Sequence, residues 1–293
     1  MTLYTSFNGD WMVSRMATSS FAQGHTDLSI VLRKTNLLAA DFDGSIVPDH
    51  LKNYLDDPKV LRAAELIRGL EGTKFRFATV TGSRISRAKP WADESGAALF
   101  AENAGVVYNP RNPSEGIRLL IAQEEADFIT GNIAPKIEAF LDSTFPGYEK
   151  SDGKLTMATY HKPEHVPIED FKDAVFGFIA SFPIEAQERL FTTYSHTLVD
   201  VNHKGADKSR AIRFMSEFFG IGVSKFTIYG DGDNDRPAFD EALAGRGTVI
   251  VPANHDKKVG EWLQRVEGNP LVVKHHLEST DCLLDILESL RRI

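Results

Sequence analysis

The sequence predicts an α/β protein: a mainly parallel sheet with helices on both faces, into which a second α/β unit is inserted. Three observations predict it. Short apolar runs alternate with amphipathic helical patterns in the first and last thirds of the chain, as in βαβ units. The middle third changes style, to helices with bulky aromatic faces and strands rich in threonine, tyrosine and valine. Acidic or hydroxyl residues stand directly after the apolar runs, where parallel sheets bind ligands.

The elements follow in order. Residues 1–34 are mixed in polarity and low in regular pattern, and are expected to be an extension, mobile or loosely docked. Asn36-Leu37-Leu38-Ala39-Ala40 is a short apolar run ending at Asp41, which suits a buried strand. Val60, Ala64, Ile67 and Leu70 share a helical face, with Gly72 as the expected stop. Phe75 to Val80 reads as a second strand, closed by Thr81-Gly82. Ala97 to Val107 is a further strand region, interrupted by a turn near Asn103. In the middle third, Ile137, Phe140, Leu141 and Phe145 mark one helix, and Ile168, Phe171, Val175 and Ile179 another. Lys154 to Tyr160 alternates as a strand does, and Leu190 to Val201 has strand composition. The last third carries a helix through Ala211, Met215 and Phe219, capped by Gly220. Strands at Phe226–Tyr229 and Thr248–Val251 follow, then a final helix through Leu283, Ile286, Leu287 and Leu290. The stretch from Thr81 to Lys208 is too long for a simple crossover. The expected division is an extension at 1–34, a core at 35–108 and 201–293, and an inserted α/β cap at 109–200.

Composition narrows the function. The 293 residues are 42% hydrophobic, enough for a well-buried core and for two lobes. With 33 basic and 41 acidic side chains the formal charge is −8, which argues against a general nucleic-acid binder. No apolar run is long enough to span a membrane, and the N-terminus lacks the basic-then-apolar pattern of a secretory signal. The single cysteine, Cys282, lies in an apolar helical pattern and reads as core; nothing requires an oxidising compartment. The expected location is the cytoplasm, as a monomer or homodimer.

Four short motifs carry chemistry. Asp41-Phe42-Asp43-Gly44-Ser45 places two carboxylates one residue apart after a buried strand, although Asp-x-Asp-Gly is also good turn chemistry. Thr81-Gly82 offers a hydroxyl and free backbone N–H groups to a phosphate oxygen. Lys208 opens a helix as a point charge, with Lys204 a second candidate nearby. Gly230-Asp231-Gly232-Asp233-Asn234-Asp235 gathers oxygen ligands suited to a hard cation such as Mg2+. A calcium loop fails there, because position 12 counted from Asp231 or Asp233 is Ala242 or Ala244 rather than glutamate.

The order Asp-x-Asp, Thr, Lys, Gly-Asp-x-x-Asn-Asp resembles the haloacid dehalogenase superfamily, over the chain from about Asn36 to its end. The resemblance implies a Rossmann-like core and an aspartyl-phosphate mechanism. Asp41 would be the nucleophile and Asp43 the acid and base. Asp41, the carbonyl of Asp43 and Asp231 would bind Mg2+, with Asn234 and Asp235 in support. Thr81 would hold the phosphoryl group and Lys208 would neutralise charge. Ser45 stands where threonine is usual. The cap position is similar to that of subfamily IIB, which contains Cof-like, sucrose-phosphate and trehalose-phosphate phosphatases and phosphomannomutases. A small phosphorylated substrate, a hexose or disaccharide phosphate, is therefore expected. Gly82, Arg84, Asn103 and Lys204 are the candidate substrate contacts; Lys154, His161, Lys162 and His203 could also read a polyhydroxy leaving group but are read first as solvent-facing or structural, and Trp262 as core. A phosphomutase, or a non-catalytic binding protein on the same scaffold, is the alternative.

Overall fold

The computed structural model describes residues 5–7, 10–12, 28–48 and 51–293. Thr5–Phe7 (β1) and Asp10–Met12 (β2) pair antiparallel, and the short helix Leu28–Leu32 (α1) ends in the buried Leu32. The chain then alternates through β3 (Leu37–Asp41), α2 (Pro58–Arg68), β4 (Arg76–Val80), α3 (Ile85–Ser95), β5 (Ala98–Ala101), β6 (Val106–Tyr108) and β7 (Ile117–Leu119). A second unit comprises α4 (Gln123–Asp127), α5 (Ala134–Thr144), β8 (Glu149–Lys150), β9 (Met157–His161), α6 (Ile168–Ala180), α7 (Ile184–Gln187), β10 (Leu190–Tyr194) and β11 (Leu198–His203). The return runs through α8 (Lys208–Phe219), β12 (Phe226–Tyr229), α9 (Arg236–Ala244), β13 (Thr248–Val251), α10 (Lys257–Arg265), β14 (Val272–Lys274) and α11 (Ser279–Arg291).

The main sheet has eight strands in the order β14-β13-β12-β3-β4-β5-β6-β7. It is parallel from β14 to β5, and its last two pairings are antiparallel. Every residue of β3 is buried, as expected of a strand covered on both faces. Its side chains alternate between the two layers. Leu38 and Ala40 join a core that includes Ile67 of α2, Trp91 of α3 and Leu287 of α11. Leu37 and Ala39 join a core with Met215 of α8, Phe239 of α9 and Trp262 of α10. The fold class read from the sequence, a mainly parallel sheet with helices on both faces, is the one observed.

The second sheet, β10-β11-β9-β8, is antiparallel throughout. One face packs Ala158, Tyr160, Val199 and Val201 against α5 and α6, forming a third core. Its other face lies over the carboxyl ends of the main sheet, where Asn202 of β11 accepts a hydrogen bond from Asn103 (3.2 Å).

Several boundaries differ from the sequence reading. Helix α2 ends at Arg68, with Gly69 as its cap, and Gly72 (φ +79°) belongs to the following turn. Leu190–Val201 is not one strand but the start of a hairpin, β10 and β11, because Ser195–Thr197 reverses the chain. Strand β7 lies at 117–119 in the main sheet, so that sheet runs beyond residue 108, where the sequence placed its end. Its three residues are mostly exposed, and carry no apolar pattern to announce a strand. The extension expected at 1–34 carries the hairpin β1–β2 and a docked α1 within its described residues. Among the described residues no helix is long and apolar enough to cross a membrane.

Candidate active site

The site follows from strand order. In the main sheet β3 lies between β12 and β4, and neighbouring strands run about 4.8 Å apart. Asp41 is the last residue of β3, Thr81 follows the last residue of β4, and Asp231 stands two residues after β12. Parallel pairing therefore delivers three remote segments to one edge. Helix α8 adds Lys208 at its first position, where Asp207 caps the helix by accepting from the Arg210 N–H (2.8 Å).

Asp41 (7% exposed) and Lys208 (2% exposed) are buried together. The Lys208 ammonium donates to Asp41 Oδ1 (2.7 Å) and to Asp235 Oδ1 (2.6 Å). Carboxylate oxygens of Asp41, Asp231 and Asp235 lie within 4.8 Å of one another. Burial first, then the neighbouring Asp235 and Asp231 carboxylates, raise the Asp41 pKa well above its ordinary value, against the opposing pull of Lys208. Burial alone would lower the Lys208 pKa, but Asp235 and Asp41 override it and leave the ammonium more firmly protonated than usual.

Local backbone fits this crowding. Gly44 has φ +81°, and a Cβ there would fall 2.3 Å from Asp231 Oδ2. A Cβ on Gly230 would fall 2.5 Å from Asp235 Oδ2. Both positions need glycine so that the carboxylates can close up. Ser45 donates to Asp231 Oδ1 (2.6 Å), and the Gly232 N–H donates to Asp235 Oδ2 (3.0 Å).

The remaining predicted residues divide. Thr81 is buried at the end of β4, its hydroxyl oxygen accepting from the Ser83 N–H (2.9 Å). The Asp43 carboxylate is turned to Ser83 (2.6 Å) and to Arg87 Nε and Nη2 (3.0 and 2.7 Å), outside the acidic cluster. Asn103 is buried and lines the cleft above Lys208. Asn234 is exposed on the same cleft. Gly82 borders Asn103, and its carbonyl accepts from Lys154 (2.9 Å). Arg84 reaches the Asp152 carbonyl of the second unit (3.1 Å) instead of the cleft. Lys204 is exposed, so of the two lysines Lys208 is the one against Asp41. Lys154, read as solvent-facing or structural, is enclosed beside Gly82 and Asp200. His161 bonds Ser151, Lys162 bonds nearby carbonyls, and His203 pairs with Glu125. Trp262 and Cys282 are core residues.

Sequence reasoning missed Arg87, Ser83 and Glu102. Glu102 is fully buried, and accepts from the Leu155 N–H (2.8 Å) and from the Thr156 N–H and hydroxyl (2.8 and 2.9 Å), joining the two units. The absence of a local partner for a glutamate in an apolar strand region was the one available signal.

The acidic cluster fits a divalent cation. Three carboxylates close together offer hard oxygen donors, the chemistry such a cation prefers.

Comparison with known proteins agrees. Residues 145–258, which include Lys208 and Asp231 to Asp235, match the family model of haloacid dehalogenase-like hydrolases. No curated protein matches the chain. Among solved structures, the sucrose-phosphatase of Synechocystis has a TM-score of 0.62 at 15% identity, covering 87% of this chain and 97% of its own. The C-terminal domain of Candida albicans trehalose-6-phosphate phosphatase gives 0.69 at 13% identity, over 91% and 96%. A haloacid dehalogenase-like hydrolase of Bacteroides thetaiotaomicron gives 0.61 at 14% identity, over 88% and 99%. These structures share the fold. Over residues 145–258 the chain is similar to haloacid dehalogenase-like hydrolases, and its fold is that of these solved structures. An α/β unit is inserted between β7 and α8.

Proposed function

We propose that this chain is a Mg2+-dependent phosphatase of small phosphate monoesters, chiefly sugar phosphates, acting through an aspartyl-phosphate at Asp41. The observation that carries the reading is the buried pairing of Asp41 with Lys208 beside Asp231 and Asp235. A carboxylate repels a phosphate dianion, so attack on phosphorus needs concentrated positive charge. Lys208 supplies part of it and fixes one oxygen of Asp41, leaving the other to attack. Mg2+, held by Asp41 and Asp231 with Asp235 in support, would supply the rest by drawing negative charge off the phosphoryl oxygens.

Asp41 forms the new O–P bond while the ester P–O bond breaks, and the leaving oxygen takes its proton from Asp43. Asp43 then takes a proton from water as that water attacks phosphorus, and Asp41 is released. Ser83 and Arg87 orient Asp43 for both steps. Thr81 and the backbone around Gly82 border the phosphoryl position. The second unit acts as a cap that excludes water. Sugar phosphates are favoured because two neighbours of the same fold are phosphatases of sucrose- and trehalose-phosphate.

The test is turnover of a sugar phosphate panel with Mg2+, read as free inorganic phosphate. Asp41→Asn is expected to abolish turnover while leaving the unfolding temperature within a few degrees. Full activity in that variant would remove Asp41 as nucleophile. Isomerised sugar phosphate without phosphate release would make the enzyme a mutase.

A further inference from the structure

A cavity of about 230 Å3 opens between the second sheet and the first turn of α9, with Lys208 at its floor. Strand β10 forms one wall. Thr192 and Tyr194 pair with Val201 and Val199, which are buried in the second unit's own core. Side chains alternate along a strand, so Phe191 and Thr193 project from the opposite face, toward the main sheet. Both line the cavity with Asn103 and Arg236, and Thr192, Tyr194 and Phe176 also border it.

The outer rim is closed by contacts between the two units. Lys258 of α10 donates to the Tyr194 hydroxyl (3.2 Å) and to Asp233 Oδ2 (2.8 Å). The other oxygen of Asp233 accepts from Arg236 Nη1 (2.7 Å). The same ammonium lies 4.3 Å from the centre of the Tyr194 ring. A leaving group extending outward from Lys208 meets this rim.

We propose that the cavity takes a leaving group of one sugar ring, and that Phe191 and Thr193 read it. This rests on the phosphatase reading above, and narrows it against a disaccharide. The volume lies below the roughly 300–1,000 Å3 of pockets that enclose drug-sized ligands. A pyranose has an apolar C–H face and hydroxyl edges. The Phe191 ring offers a surface to the first; Thr193, Asn103 and the Arg236–Asp233 pair offer donors and acceptors to the second. A second ring has to break the Lys258–Tyr194 contact to enter.

Binding tests this without relying on turnover. Full-length Asp41→Asn protein with Mg2+ is titrated calorimetrically with glucose 6-phosphate, mannose 6-phosphate, trehalose 6-phosphate and sucrose 6-phosphate. At least one hexose phosphate is expected to bind about tenfold or more tightly than either disaccharide phosphate. Adding Phe191→Ala is expected to erase most of that preference, whereas Phe191→Tyr retains it. Adding Lys258→Ala instead is expected to tighten disaccharide phosphate binding by opening the rim. Equal or tighter binding of a disaccharide phosphate overturns the proposal, as does failure of both hexose phosphates to bind. Failure of the phosphatase reading appears separately, as wild-type protein that releases no phosphate from any ester.

Discussion

At the scale of single residues, Lys208 decides the most. Its ammonium lies buried between two carboxylates, where charge is least screened. Lys208→Ala leaves Asp41 and Asp235 facing each other without their cation. The expected cost is about 3–5 kcal/mol of stability in metal-free protein, the range for breaking a buried ion pair. The expected loss in kcat/KM is about 100-fold or more. Lys204→Ala, on an exposed side chain, is expected to stay within about 0.5 kcal/mol of wild type. Thermal unfolding in EDTA and steady-state phosphate release check both. A wild-type rate in Lys208→Ala would remove that lysine from the chemistry.

At the scale of elements, the turn joining β5 to β6 is the most constrained. Glu102, Asn103 and Ala104 are consecutive non-glycine residues in the left-handed region, with φ of +54°, +53° and +66°. Each costs of order 1 kcal/mol, and such runs persist only where their surroundings fix them. The Glu102 carboxylate supplies that hold through Leu155 and Thr156, and the turn in turn presents Asn103 to the cleft. Glu102→Ala leaves two backbone N–H groups and a hydroxyl without their acceptor. It is expected to cost about 2–5 kcal/mol and to lower kcat/KM, because Asn103 and the seat of the second unit both shift. Unchanged unfolding temperature and unchanged kinetics together would show that the turn holds itself. This is also where the sequence was least legible. The β3, β4 and β12 strands announce themselves as apolar runs ending in Asp, Thr-Gly and Gly-Asp, so the cluster of Asp41, Asp231 and Asp235 was readable from those endings, and Lys208 from the helix it opens. The contact of Arg87 with Asp43 spans 44 positions and depends on how α3 packs, so no local pattern encodes it. Glu102 is 53 positions from Leu155, and the cavity wall of Phe191 and Thr193 depends on which face of β10 turns inward, which only tertiary pairing decides.

At the scale of the whole molecule, the proposed metal site would tie the fold's stability to the cation and to pH. Burial and the carboxylates of Asp235 and Asp231 raise the Asp41 pKa in the folded, metal-free chain, from an ordinary value of 3.8. The folded state therefore binds that proton more tightly than the unfolded state does. The stability it contributes is complete below the ordinary carboxylate range, and is lost as pH rises through the raised pKa. Lys208, more firmly protonated than usual, keeps its charge across this window. A bound cation replaces the proton on Asp41 and removes the penalty of ionising it. The rise in unfolding temperature caused by Mg2+ should therefore be small near pH 4 and grow toward neutral pH, while other carboxylates cancel in the comparison with EDTA. At neutral pH, with Mg2+ at about 100 times its dissociation constant, the gain is about 2.7 kcal/mol. Where Asp41 is still protonated, calorimetric titration with Mg2+ in buffers of different ionisation enthalpy should report proton release. In Asp41→Asn the pH dependence of the Mg2+ effect should flatten. A Mg2+ effect that is largest at low pH would mean that the cation binds elsewhere, because at the Asp41–Asp231 cluster it competes with a proton that burial has made tighter.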